Sequence, residues 1–90
     1  MPPSASKPSP GRRVYLVLPS VHHVMRARDL LKDAGIQNET VATPRAIASD
    51  CGVSLVVAEE AMERTYEILS AVGLEMTFWL VESNRAERLR

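Results

Sequence analysis

Ninety residues, eleven basic side chains against eleven acidic ones and a single cysteine set the first limits on what this chain does. A chain this short closes one modest core, so a deep catalytic cleft is not expected. The zero net charge removes the footprint on which nucleic-acid and anionic-lipid binding rely, and one thiol cannot close an internal disulfide. With no signal-like segment and no apolar run of membrane-spanning length, the expected compartment is the cytoplasm, where thiols stay reduced.

Residues 1–12 (MPPSASKPSPGR) hold four of the six prolines and no apolar period, and read as a disordered leader. The run Val14-Tyr15-Leu16-Val17-Leu18 is then a strand stopped by Pro19. Ser20 is a suitable N-cap for a helix to about Ala34, with Val24, Ala27, Leu31 and Ala34 on one face, Leu30 at its border and Gly35 as the stop. Residues 37–43 suit a half-exposed edge strand that ends at Pro44.

The loop Pro44-Arg45-Ala46-Ile47-Ala48-Ser49-Asp50-Cys51-Gly52 follows, and it carries the only cysteine. Val53-Ser54-Leu55-Val56-Val57 is a clearer strand. Residues 59–72 repeat the helical pattern, with Ala61, Thr65, Ile68 and Val72 on one face, Met62 and Leu69 beside them, and Gly73 as the stop. Residues 74–81 alternate between two faces as a strand does, and residues 82–90 read as a charged tail or frayed turn.

The order strand, helix, strand, strand, helix, strand predicts an α+β fold of the ferredoxin-like βαββαβ kind: a four-stranded antiparallel sheet with both helices on one face. The domain then spans residues 13–81. In that topology the first and second strands run the same way, so their C-terminal ends meet. Cys51 is therefore expected in the open at the sheet's end, facing the start of the first helix, where free backbone N–H groups favour a thiolate.

His22, His23 and Arg45 could add to that field, while Asp50 opposes it unless it turns away into a backbone cap. Gly52 allows positive φ and leaves one side of the sulfur uncovered. Each of these residues also has a plainer reading. Free cysteine commonly packs as a small inert hydrophobe, Ser20 is a helix cap, His22 a solvated and His23 a structural side chain, and Arg45 a surface charge. Adjacent histidines project to different sides of a helix and no fourth ligand has suitable spacing, so no metal is expected.

Three stretches together resemble the small selenium/sulfur (Se/S) carrier family, formerly a domain of unknown function: Leu18-Pro19-Ser20-Val21-His22-His23-Val24-Met25; Leu30-Leu31-Lys32-Asp33-Ala34-Gly35-Ile36; and Thr43 through the Cys51 loop to Val53. The resemblance covers roughly residues 13–80. It implies a carrier, with no cofactor of its own, in which Cys51 holds sulfur or selenium as a persulfide or selenopersulfide, surrounded by Ser20, His23, Arg45, Ser49 and Gly52. A cysteine desulfurase or selenocysteine lyase would be the donor, and selenophosphate synthetase or a sulfur acceptor the recipient. Ala46 and Ala48 depart from the bulkier or more polar residues expected of the loop.

A reading of another class makes the chain a non-catalytic interaction or ligand-binding module. The helix-free sheet face would present Tyr15, Val17, Val56, Thr77 and Trp79 as an apolar surface suited to homodimerisation. RNA binding through that face fits poorly, since Ser54 and Val56 stand where stacking aromatics are needed. A thiol peroxidase would lack a resolving cysteine.

Overall fold

A computed structural model describes residues 12–47, 49–82 and 84–90. Except for Arg12, the expected leader lies outside the described residues, as do the loop's Ala48 and Ser83. The elements in chain order are β1 (Arg13–Val17), α1 (Val21–Asp33), β2 (Glu39–Ala42) and β3 (Val53–Ala58), then a short 3-10 turn (Glu59–Ala61), α2 (Met62–Ala71), β4 (Thr77–Glu82) and β5 (Arg85–Arg88). They form an α+β structure with two helices and one five-stranded antiparallel sheet, ordered β2-β3-β1-β4-β5. Among the described residues no helix is long and apolar enough to cross a membrane.

The fifth strand corrects the expected count of four, and it comes from the stretch expected to be a tail. Arg85–Arg88 pairs with β4, setting Trp79 opposite Arg88 and Val81 opposite Ala86. Beyond it, the Leu89 N–H donates to the Phe78 carbonyl at 2.7 Å and the Phe78 N–H donates to the Arg90 carbonyl at 3.1 Å. The Arg90 guanidinium lies 3.7 Å from the centre of the Tyr66 ring and pairs with Glu63 of α2. An edge strand needs few inward apolar groups, so charge alone did not exclude it.

The two helices begin for different local reasons. The Ser20 hydroxyl accepts the His23 N–H at 3.3 Å and caps α1, whereas α2 has no side-chain cap and enters through the 3-10 turn. At their C-termini the helices stop alike. Gly35 (φ +77°) and Gly73 (φ +80°) adopt the left-handed conformation that glycine reaches without steric cost. The N–H groups of Ile36 and Leu74 then return to the carbonyls of Leu31 and Leu69 in a Schellman motif, folding each chain back toward the core.

The core lies between the helices and one face of the sheet. Val14, Leu16, Leu55, Val57 and Phe78 are fully buried against Val24, Ala27 and Leu31 of α1 and Leu69 of α2. The expected α1 stripe is the observed one. On α2 the buried centre is Thr65 and Leu69, while Val72 is 42% exposed.

The helix-free face is not the open apolar surface expected. Val56 is fully buried, Val17 is 9% exposed, and Tyr15, Thr77 and Trp79 are half-buried. One row of partners, Glu39, Val56, Tyr15, Trp79 and Arg88, crosses all five strands on this face. Arg13 of β1 reaches across β3 to Glu39 of β2 at 2.7 Å, and this ion pair arches over the strand that carries Val56. The Trp79 indole N–H donates to the Thr77 hydroxyl at 2.8 Å, closing the other half of the row on itself.

Two stability tests follow from these features. Gly35→Ala or Gly73→Ala meets no neighbour within 4 Å, so its cost is purely conformational. Each should lower the urea-unfolding free energy by about 1 kcal/mol. The same change at Gly52, which lacks a positive φ and faces open space, should stay within about 0.5 kcal/mol of wild type. The buried Thr65 hydroxyl has no hydrogen-bond partner among the described residues. Thr65→Val should therefore raise stability by about 1 kcal/mol and with it the thermal midpoint, since it removes an unpaired polar group at nearly constant shape.

Candidate functional site

Because β1 and β2 are both antiparallel to β3, they run parallel to each other and their C-terminal ends lie at one end of the sheet. The start of α1, the loop between β2 and β3 and the start of β4 all gather there. Extending the β1–β3 register from Leu16 and Leu55 sets Leu18 level with Val53, and Ser20 level with Cys51. The strand pairing thus sets the β2–β3 loop and the beginning of α1 at the same end of the sheet.

The loop leaves β2 through Thr43, whose N–H donates to the Gly52 carbonyl at 3.0 Å. Pro44 then opens a turn closed by the Ile47 N–H on the Pro44 carbonyl at 3.0 Å. This turn tucks Ile47, 4% exposed, into the interior. Cys51 follows the two-residue alternation of β3 and lies on the helix side with Val53, Leu55 and Val57, within the same apolar cluster.

The thiol is consequently not in the open. Cys51 is 6% exposed, which overturns the expectation of an uncovered sulfur. Nor is Gly52 the cause of any exposure, since its backbone needs no glycine. What permits the burial is that both backbone polar groups of Cys51 have side-chain partners. Its N–H donates to the Ser49 hydroxyl at 3.1 Å, and its carbonyl accepts the Thr43 hydroxyl at 2.9 Å. The side-chain cap on the Cys51 N–H is made by Ser49, and Asp50 is exposed.

The other candidates separate into two groups. Ser20 and His23 are brought together, with the Ser20 hydroxyl 2.6 Å from the half-buried His23 Nδ1. His22 and Arg45 are exposed. Among the described residues no three His, Cys, Asp or Glu side chains gather as a metal site.

A shallow groove of about 350 Å3 lies against this end of the sheet. Leu18 and Pro19 of the β1–α1 junction line it with Ser49, Met76, Thr77 and Arg88. Thr43 and Ser54 were not singled out from the sequence, yet their hydroxyls, 2.6 Å apart, lie next to the cysteine's backbone. The one sequence signal for them was a serine inside the otherwise apolar run of β3. Val21 and Met25, each 52% exposed and one turn apart on α1, were also passed over.

Comparison with known proteins bears on this site directly. No curated protein and no solved structure matches the chain. A family model described as "Putative Se/S carrier protein-like" matches residues 13–79, a stretch that runs from β1 into β4 and leaves β5 outside. As that match covers most of the sequence and includes Ser20, His23, Arg45, Ser49, Cys51 and Gly52, the chain belongs to the Se/S carrier protein-like family.

Proposed function

We propose that this protein accepts a sulfur or selenium atom on Cys51, holds it as a persulfide or selenopersulfide, and passes it to an acceptor. The observation that carries the reading is the family match over a chain whose single cysteine lies at the helix-bearing end of the sheet. The first four strands and two helices are read as a ferredoxin-like unit to which β5 is an addition. That unit supplies a frame for one sulfur.

The chemistry is exchange at sulfur. Cys51 gives up its proton to solvent, and the thiolate attacks the terminal sulfur of a donor's persulfide. The new bond joins the Cys51 sulfur to the transferred atom. The donor's S–S bond breaks, and its electron pair leaves with the donor cysteine as a thiolate. No net oxidation occurs, and delivery runs the same exchange with an acceptor thiolate attacking the carried atom. Selenium transfers by the same electron count. A cysteine desulfurase or selenocysteine lyase is the proposed donor, and selenophosphate synthetase or a sulfur-accepting protein the recipient. A reducing compartment such as the cytoplasm keeps the thiol available between rounds.

Incubation with a cysteine desulfurase, its pyridoxal cofactor and cysteine should add one sulfur to the intact mass of the full chain. Cyanide or dithiothreitol should remove it, and Cys51→Ser should never acquire it. A wild-type mass unchanged under conditions that load an established sulfur carrier would reject the proposal.

A further inference from the structure

Ser54 is fully buried in β3, among valines and a leucine that cost less to desolvate than a hydroxyl does. Its only hydrogen bond among the described residues is to Thr43, at 2.6 Å. Thr43 has one hydroxyl proton, and the geometry directs that proton to the Cys51 carbonyl at 2.9 Å. The proton between Thr43 and Ser54 must then come from Ser54. The result is a directed chain: Ser54 O–H to Thr43 Oγ1, and Thr43 O–H to the Cys51 carbonyl. Hydrogen bonds in such a chain polarise one another, and each loses strength if another is removed.

The chain acts on the cysteine's frame, not on its sulfur. By alternation, Ser54 lies on the helix-free side of the sheet, and the Cys51 side chain belongs to the core on the other side. Together with the Ser49 hydroxyl on the Cys51 N–H, the chain fixes both peptide groups that flank the Cys51 Cα. Cys51 as a residue is 6% exposed, although a transferable atom must be reached by a partner's thiolate.

We infer that Thr43 and Ser54 are positioning residues that set how accessible Cys51 is, holding its backbone so that the sulfur stays enclosed until this bonding yields. The biological purpose of the device rests on the carrier reading, because an enclosed persulfide is protected from stray thiols between donor and acceptor. The device itself does not depend on that reading.

Native-state alkylation of Cys51 in the full chain, followed by mass spectrometry across low urea concentrations, tests it. Wild type should label far more slowly than a free thiol, with a urea dependence shallower than that of global unfolding. Thr43→Val should label about tenfold faster, the size expected for losing one buried hydrogen bond. Ser54→Ala should fall between the two, and Thr43→Ser, which keeps the hydroxyl, should return to the wild-type rate. A wild-type rate in Thr43→Val would overturn the inference, as would acceleration in Thr43→Val and Ser54→Ala fully accounted for by their global unfolding. Because alkylation needs no sulfur donor, a failed loading experiment beside these labelling results would remove the carrier reading alone.

Discussion

The antiparallel pairing of β1 with β3 is the constraint from which the other arrangements follow. β1 is hydrogen-bonded on both sides, and Val14 and Leu16 are wholly removed from water. Their burial fixes the register, because a slip of one residue would turn these side chains to the helix-free face. The same register sets the end of β1 level with the start of β3. The beginning of α1 and the Cys51 loop are therefore brought to one end of the sheet by hydrophobic burial. The site's position is inherited from the core.

Position alone does not determine what a thiol can do. A cysteine side chain gains by leaving water, as any small apolar group does, and Cys51 has left it. A nucleophile, in contrast, has to be met by its partner. These requirements are reconciled where Thr43 and Ser49 bond to the backbone of Cys51 and leave the sulfur to weak apolar contacts. A sulfur held by its own strong hydrogen bonds would need each of them broken before it could react. On the proposed reading, one held through its backbone is released while its neighbours Leu55 and Val57 stay packed in the sheet.

Much of this was legible in the sequence because it is written in local periods. The Val24/Ala27/Leu31 stripe, the Ser20 cap and the glycine stops need only a few consecutive residues, and each occurs where the pattern puts it. The features that were not legible depend on partners distant in sequence. Val56 is covered because Arg13 finds Glu39, 26 residues away. The hydroxyl chain joins Thr43 to Ser54, 11 residues away. β5 itself adds no residue to the core and only Leu89, just beyond it, packs there, so no hydrophobic period announces it, and its existence depends on the free edge of β4. The burial of Cys51 is of the same kind, since the loop's composition gives equal licence to a thiol inside or outside.

β5 also divides the labour of the chain. The family match ends within β4, so the matched stretch carries the cysteine, the helix start and the hydroxyl chain, but leaves the Phe78 peptide groups for the C-terminal residues to pair. An unpaired edge of this kind invites association with another strand. β5 covers it with alternating charges, and Arg90 ties the addition down to Tyr66 and Glu63 on α2. In covering the edge, β5 brings Arg88 to the groove that Ser49, Leu18 and Pro19 share. Glu75 lines the same groove from within the matched stretch, so β5 adds a guanidinium to a groove whose carboxylate the matched stretch supplies. The element that protects the sheet from unspecific pairing thus also contributes a charge to this groove.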